Sequence, residues 1–167
     1  MSIREIIITD DPILHQKAKK VHHFDPSLQR LVDDMFETMH DVGGAGLAAP
    51  QIAQSLRIFV AQYEDHKVAI FNPEIVKASG ETLGNEACLS TPGFEGKQIR
   101  RSASIVVKGQ DARGKQVRVA ANGWFARILQ HEIDHLNGIV YIDRLDDPSD
   151  LHTMGPDDFA DEHLTIG

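Results

Sequence analysis

His131, Glu132 and His135 stand in an H-E-x-x-H run. Residues four apart share a helical face, so both imidazoles can address one cation. Glu132, next to the first of them, can then take a proton from a water held there without itself acting as a ligand. With nine histidines in the chain and as many glutamates, composition alone would produce such a run only about 0.03 times. Two histidines make a weak site, and a third donor is needed. His152 and His163 lie downstream among turn residues. Cys88, within Asn85–Ser90, is the better choice, because a thiolate with two neutral imidazoles leaves one position open for water, the mark of a catalytic centre. Without the histidines, a lone cysteine would read as an inert buried thiol. A third stretch, Gly43-Gly44-Ala45-Gly46-Leu47-Ala48-Ala49-Pro50-Gln51, is rich in glycine. It lacks both the Gly-Lys-Ser/Thr ending of a phosphate loop and the spacing of a dinucleotide fingerprint. Its small residues allow an extended ligand to approach the backbone closely, and the Gln51 amide suits an oxyanion.

These residues need a helix and strands to hold them. Asp25 and Pro26 read as N-cap and first residue of a helix whose apolar stripe runs Leu28, Leu31, Val32, Met35, Phe36, Met39 and stops at Gly43-Gly44. Strands are expected at Leu56–Tyr63 and Lys67–Phe71, joined across Glu64-Asp65-His66. A hairpin is expected from Ser104–Gln110 and Lys115–Ala120, with Gly114 at a left-handed turn position. A second helix spans about Trp124 to Asn137 and ends at Gly138, and Ile139–Ile142 reads as a short closing strand. Antiparallel pairs with one early and one late helix define an α+β fold. Asp134 points away from the two histidines, so it is expected on the helix surface or supporting the site from behind. His15, His22, His23, His40 and His66 lack partner spacing. Glu95 and Lys97 are expected in solvent.

The 167 residues fit one domain, and 41% apolar with 25% charged residues excludes a mostly disordered chain. Of the net charge of −8, nearly all sits after Tyr141, where Asp143, Asp146, Asp147, Asp150, Asp157, Asp158, Asp161 and Glu162 face Arg144 alone. Residues 1–145 are therefore expected to form the catalytic domain and residues 146–167 an acidic, loosely held tail. No basic stripe is available for nucleic acid. A single thiol suits a reducing compartment. The apolar N-terminal run is broken by charges and reads neither as a secretory leader nor as a membrane span. A soluble, cytoplasmic protein is expected.

Taken together, the three segments resemble the signature motifs of the peptide deformylase family, G-x-G-L-A-A-P-Q, E-G-C-L-S and Q-H-E-x-D-H. They stand here in that order as Gly44–Gln51, Glu86–Ser90 and Gln130–His135. The opening segment from Asp11-Pro12-Ile13-Leu14 through Ala18 and Val21 is also similar, so the resemblance covers about residues 5–145. It implies the family fold, antiparallel sheets around a central metal-binding helix, and removal of the N-formyl group from the initiator methionine of new polypeptides. It implies Fe²⁺, with Zn²⁺, Ni²⁺ or Co²⁺ as substitutes, held by Cys88, His131 and His135. Glu132 would be general base and acid, and Gln51 with the Leu89 N–H would hold the oxyanion. Gly44, Ala45, Gly46 and Leu47 would pair with the peptide as an added strand, while Glu86, Trp124, Arg127 and Ile128 would build the methionine pocket. The partners implied are formyl-methionyl peptides and nascent chains, with transient proximity to the ribosome, no direct nucleic-acid contact, no membrane, and a monomer. Ala87 departs from the motif's glycine, and a slightly rearranged loop around Leu89 is expected, bearing on rate more than on metal binding. Two rivals remain at this stage: another H-E-x-x-H metallopeptidase or amidohydrolase, and an inactive homologue that binds nascent chains.

Overall fold

Asp25 caps the first helix, α1 (Pro26–Asp41), by accepting from the Ser27 N–H at 2.8 Å, and Pro26 takes the first position, where no N–H is needed. The computed structural model describes residues 2–154 and 166–167. The α1 stripe buries Leu28, Leu31, Val32, Met35 and Met39 as its spacing requires, and Phe36 is half-buried.

The strands are β1 (Gly46–Ala48), β2 (Ile58–Tyr63), β3 (His66–Ser79), β4 (Thr82–Glu86), β5 (Phe94–Arg101), β6 (Ser104–Gln110), β7 (Gln116–Asn122) and β8 (Leu151–Thr153). The second helix is α2 (Gly123–Leu136). The pairings between these strands are antiparallel, in a five-stranded sheet of order β1-β2-β3-β6-β7 and a three-stranded sheet of order β4-β5-β8. Both faces of β2 are covered. Phe59 and Ala61 join a core with Phe125, Ile128, Leu129 and Ile133 of α2, whereas Ile58 and Val60 join the α1 core with Met35, Met39 and Leu47. That explains the unbroken apolar run Ile58-Phe59-Val60-Ala61, where a one-sided strand would alternate. The three-stranded sheet lies on the other side of α2, where the Arg127 guanidinium reaches the carbonyls of Thr82 and Ile99. Helix α2 therefore runs between the sheets, and every residue from Phe125 to Leu136 is buried.

Several expectations on local structure change. The hairpin turn at Gly114 (φ 84°) is left-handed as expected. Strand β3, expected to stop at Phe71, continues to Ser79 through Asn72 and Pro73, at an irregularity in its pairing with β6. Proline cannot donate to a ladder, and Asn72 tolerates its positive φ of 51° while its side chain bonds Val21 and Gln110. Ile139–Ile142 is not a strand. The Asp143 carboxylate accepts from the Val140 N–H at 3.0 Å and starts a short 3-10 turn, Tyr141–Arg144. Strands β1, β4, β5 and β8 were not expected. Strand β8 lies within residues 146–167 and pairs with β5, placing Thr153, His152 and Leu151 opposite Phe94, Glu95 and Gly96. Glu95, expected in solvent, is buried there, 4.0 Å from Lys97.

Candidate active site

The i, i+4 spacing on α2 does what the sequence requires: His131 and His135 present their rings to one point, and Cys88, just after β4, completes the set. The three ligand atoms lie within 4.8 Å of one another, and all three residues are buried. Cys88 Sγ is 3.4 Å from His135 Nε2. His131 Nδ1 is 2.8 Å from Glu86 Oε1, a bond that fixes the tautomer with Nε2 facing the site. The main-chain oxygen of Gly167 sits 2.6 Å from His131 Nε2, 3.1 Å from His135 Nε2 and 2.7 Å from Cys88 Sγ.

Burial opposes charge on Cys88, but His135 and His131 outweigh it and push the thiol down to about 5. Burial likewise works against protonation of both histidines, yet the facing sulfur raises both above the ordinary value. A cluster of electron-pair donors this dry calls for positive charge, supplied either by protons or by a cation that displaces them. One sulfur and two nitrogens suit a borderline-soft divalent ion, so the residues fit the expected metal.

Glu132 is wholly buried, and neither carboxylate oxygen has a partner among the described residues. Burial pushes its carboxyl up to about 7, against the pull of His131 and His135. It faces Gly46, where a Cβ would lie 2.8 Å from the Glu132 carboxyl carbon, so only glycine leaves room for that side chain. Gln51 is also fully buried. Its Oε1 accepts from the Ala48 N–H at 2.9 Å, which turns the Nε2 donor toward Ser90 Oγ, 3.1 Å away, and Cys88 Sγ at 3.8 Å. The Leu89 amide, one residue from Cys88, bonds no other described residue. Ala87 has no left-handed backbone, so its Cβ causes no strain. Its carbonyl accepts from the Ile166 N–H at 3.0 Å, while the amides of Ala45 and Gly46 both donate to the Ile166 carbonyl at 2.8 Å. Strand β1 is an edge strand, and on the side away from β2 the Gly46 amide bonds Ile166 rather than another strand.

The four residues expected around a methionine pocket separate. Ile128 is buried in the apolar cluster that receives Ile166, and Trp124 packs against that cluster. Glu86 and Arg127 instead lie behind His131: Arg127 Nη1 is 2.7 Å from Glu86 Oε2, and Arg101 grips the same carboxylate through two bonds of 2.8 Å. Burial acts to raise the Glu86 carboxyl, but the bonds from Arg101 and His131 hold it well below the usual range. Asp134 is buried rather than on the surface, paired with Arg101 at 2.5 Å and with Arg144 at 2.7 Å. Of the alternative third ligands, His152 is exposed on β8 and His163 lies outside the described residues.

Sequence reading gave Ser90 no role beyond its place in the Glu86–Ser90 motif, and missed Arg101 and Tyr141, whose ring stacks on His131 at 6.2 Å. It also missed the N-terminal segment, where Ile7 N–H and Thr9 N–H bond the carbonyls of Gln51 and Ser90. No local spacing announces Arg101, Tyr141 or the N-terminal segment. A cavity of about 170 Å³ opens beside Cys88, bordered by Val42, Leu89, Phe94 and Met154.

The sequence profile described as Polypeptide deformylase matches residues 3–150. The peptide deformylase of Dehalococcoides mccartyi (strain CBDB1) is 46% identical over 166 residues, covering 98% of this chain and 99% of the relative. The crystal structure of the Thermotoga maritima peptide deformylase superposes with a TM-score of 0.85 at 40% identity, over 88% of this chain and 100% of that one. A Legionella pneumophila peptide deformylase superposes with a TM-score of 0.83 at 44% identity, over 86% of both chains.

Proposed function

The chain belongs to the polypeptide deformylase family, and from that premise we propose that it hydrolyses the N-formyl group of the initiator methionine on new polypeptides. The observation that carries this reading is the meeting of a Cys-His-His donor set, a buried carboxylate with no partner among the described residues and the edge strand β1 in one cleft. Cys88, His131 and His135 would hold a divalent cation, which when bound lowers the pKa of water and polarises the formyl oxygen. Fe²⁺ is the ion we assign in the cell, with Zn²⁺, Ni²⁺ or Co²⁺ able to substitute; the resemblance of the three motifs supports this.

The amides of Ala45 and Gly46 and the carbonyl of Ala87 bind the substrate backbone as an added strand. The cluster around Ile128 takes the methionine side chain, with Trp124 at its edge. Glu132 takes a proton from the attacking water as the oxygen–carbon bond forms, and burial, which favours the protonated carboxyl, helps it to hold that proton. Gln51 Nε2 and the Leu89 N–H donate to the developing oxyanion. Glu132 then returns the proton to the nitrogen as the carbon–nitrogen bond breaks, giving formate and a free amino terminus. Glu86 and Arg127 serve by positioning His131 rather than by touching the side chain of the substrate.

A reducing, cytoplasmic setting and a monomer without nucleic-acid or membrane contact complete the proposal. Nascent chains would be met near the ribosome, and no helix among the described residues is long and apolar enough to cross a membrane. Formate release from formyl-Met-Ala-Ser tests the reading. Strong release, with acetyl-Met-Ala-Ser left intact, is the expected result. Cleavage of internal peptide bonds would point instead to a general metallopeptidase, and no turnover after metal loading to a silent homologue.

A further inference from the structure

Ile166 and Gly167 lie in the cleft that the proposed function reserves for substrate, and they use each of its recognition elements. The Ile166 carbonyl accepts from the Ala45 and Gly46 amides, and its N–H donates to Ala87, so the residue bridges the open edge of β1 and the segment after β4. Its side chain is wholly buried in the apolar cluster with Ile128, Leu129 and Ile133. The Gly167 oxygen lies within hydrogen-bond distance of His131, His135 and Cys88. Met154 borders the cavity beside Cys88.

We propose that Ile166–Gly167 is a built-in competitor for the peptide cleft, holding it closed until a formyl-methionyl chain displaces it. A peptide cannot pair with the Ala45 and Gly46 amides while the Ile166 carbonyl does, nor fill the Ile128 pocket while the isoleucine does, so the two states exclude each other. A tethered segment faces its site at a high effective concentration, and apparent substrate affinity falls in proportion to the fraction of open cleft. A cation would compete with the Gly167 oxygen for the three donors, whereas the contacts made by Ile166 involve none of them, so the proposal for the metal-loaded enzyme rests on Ile166. This inference rests on the proposed function for the identity of the displacing ligand, but the occupancy itself can be read without turnover.

The test uses the full metal-loaded chain as wild type, Ile166→Asp and Ile166→Ala. A buried aspartate in that apolar cluster is strongly disfavoured, and alanine forfeits most of the apolar contact without adding charge. Amide hydrogen exchange at Ala45 and Gly46, read by NMR, is expected to be slow in the wild type and faster by roughly tenfold or more in Ile166→Asp, with Ile166→Ala between. KM for formyl-Met-Ala-Ser falls by a similar factor while kcat is kept, a split that a merely structural plug would not give. Equal exchange and equal KM in all three proteins would overturn the proposal. Protection that grows with protein concentration would overturn it too, because the occupant would then be a second copy. If no protein releases formate, the functional reading falls, while the exchange rates still decide whether the cleft is self-occupied.

Discussion

At the residue scale, Glu132 and Gly46 act as a pair. A carboxylate buried without a partner is costly, and a site retains one where it serves a reaction. Glu132→Gln preserves the shape and removes the proton shuttle, so metal content stays at wild-type level while kcat/KM falls about 10²–10⁴-fold. Metal analysis beside a formate assay checks both halves, and near-normal turnover would remove Glu132 from its role. Gly46→Ala drives a methyl group against the Glu132 carboxyl. It should cut kcat at least about tenfold with metal retained, since a small misplacement of a catalytic group is enough for that. The H-E-x-x-H run was legible because helical periodicity converts sequence spacing into geometry. Gly46 was legible only as a place where a ligand could come close; that it also makes room for Glu132, 86 positions away, required the fold.

At the scale of elements, α2 carries a charged face through the interior. Arg101 of β5 joins Glu86 at the end of β4 to Asp134 of α2, so one guanidinium ties the three-stranded sheet to the helix that carries His131 and His135. Arg101→Leu removes one cation shared by two buried carboxylates, leaving Glu86 to Arg127 and Asp134 to Arg144; because both keep a partner, the cost should fall short of the about 3–5 kcal/mol of a fully broken buried pair. Denaturant unfolding at neutral pH should read that loss. Weaker metal retention should accompany it, because Glu86 orients His131. This network was invisible in the sequence, where Arg101 reads as one more polar residue of the stretch Lys97–Ser102. Strand β1 has only three residues, and β4 and β5 carry glycines that break alternation, so neither sheet edge at the cleft had a periodic signal. The elements that were read correctly, α1, α2, β2 and the β6–β7 hairpin, are those with long apolar periods or a defined turn. A separate anchor holds the N-terminal segment to α1, where Asp34 accepts from Ser2 N–H at 2.7 Å and pairs with Arg4. The Ser2 bond lowers the Asp34 carboxyl, burial raises it, and with Arg4 the net direction is down. A depressed folded-state value adds stability above the unfolded aspartate pKa of about 3.9, and that stability is lost as pH falls through the lower folded value. Asp34→Asn should therefore be less stable than wild type at pH 7, and the gap should close as both are titrated well below pH 4. A gap independent of pH would assign the difference to shape rather than charge.

For the whole molecule, charge distribution sets what surfaces it can approach. Residues 146–167 hold Asp146, Asp147, Asp150, Asp157, Asp158, Asp161 and Glu162 and no lysine or arginine, in a protein of net charge −8. The sequence made this segment look separable, since none of the expected ligands falls in it. Yet Leu151–Thr153 completes the three-stranded sheet and Ile166 lies in the cleft, so the segment is acidic in composition but joined to the catalytic body at both described ends. Three residues of strand and two of cleft contact leave too short a pattern for periodicity to detect. Acidic charge has a consequence that does not depend on where residues 155–165 lie. Phosphate-rich RNA attracts proteins by releasing counterions to lysine and arginine, and it repels like charge within a Debye length of about 8 Å at physiological salt. Any meeting with a ribosome should therefore proceed through the nascent peptide rather than through RNA. Co-sedimentation with ribosomes that carry no formylated chain should be negligible at 0.15 M salt, and lowering the salt should not raise it. Replacing the seven acids by their amides should change that background little, because removing repulsion supplies no cation for phosphate. Binding that climbs steeply as salt is lowered would mean that a basic contact elsewhere on the surface outweighs the acidic segment, and would reverse the assignment of the nascent chain as the sole point of encounter.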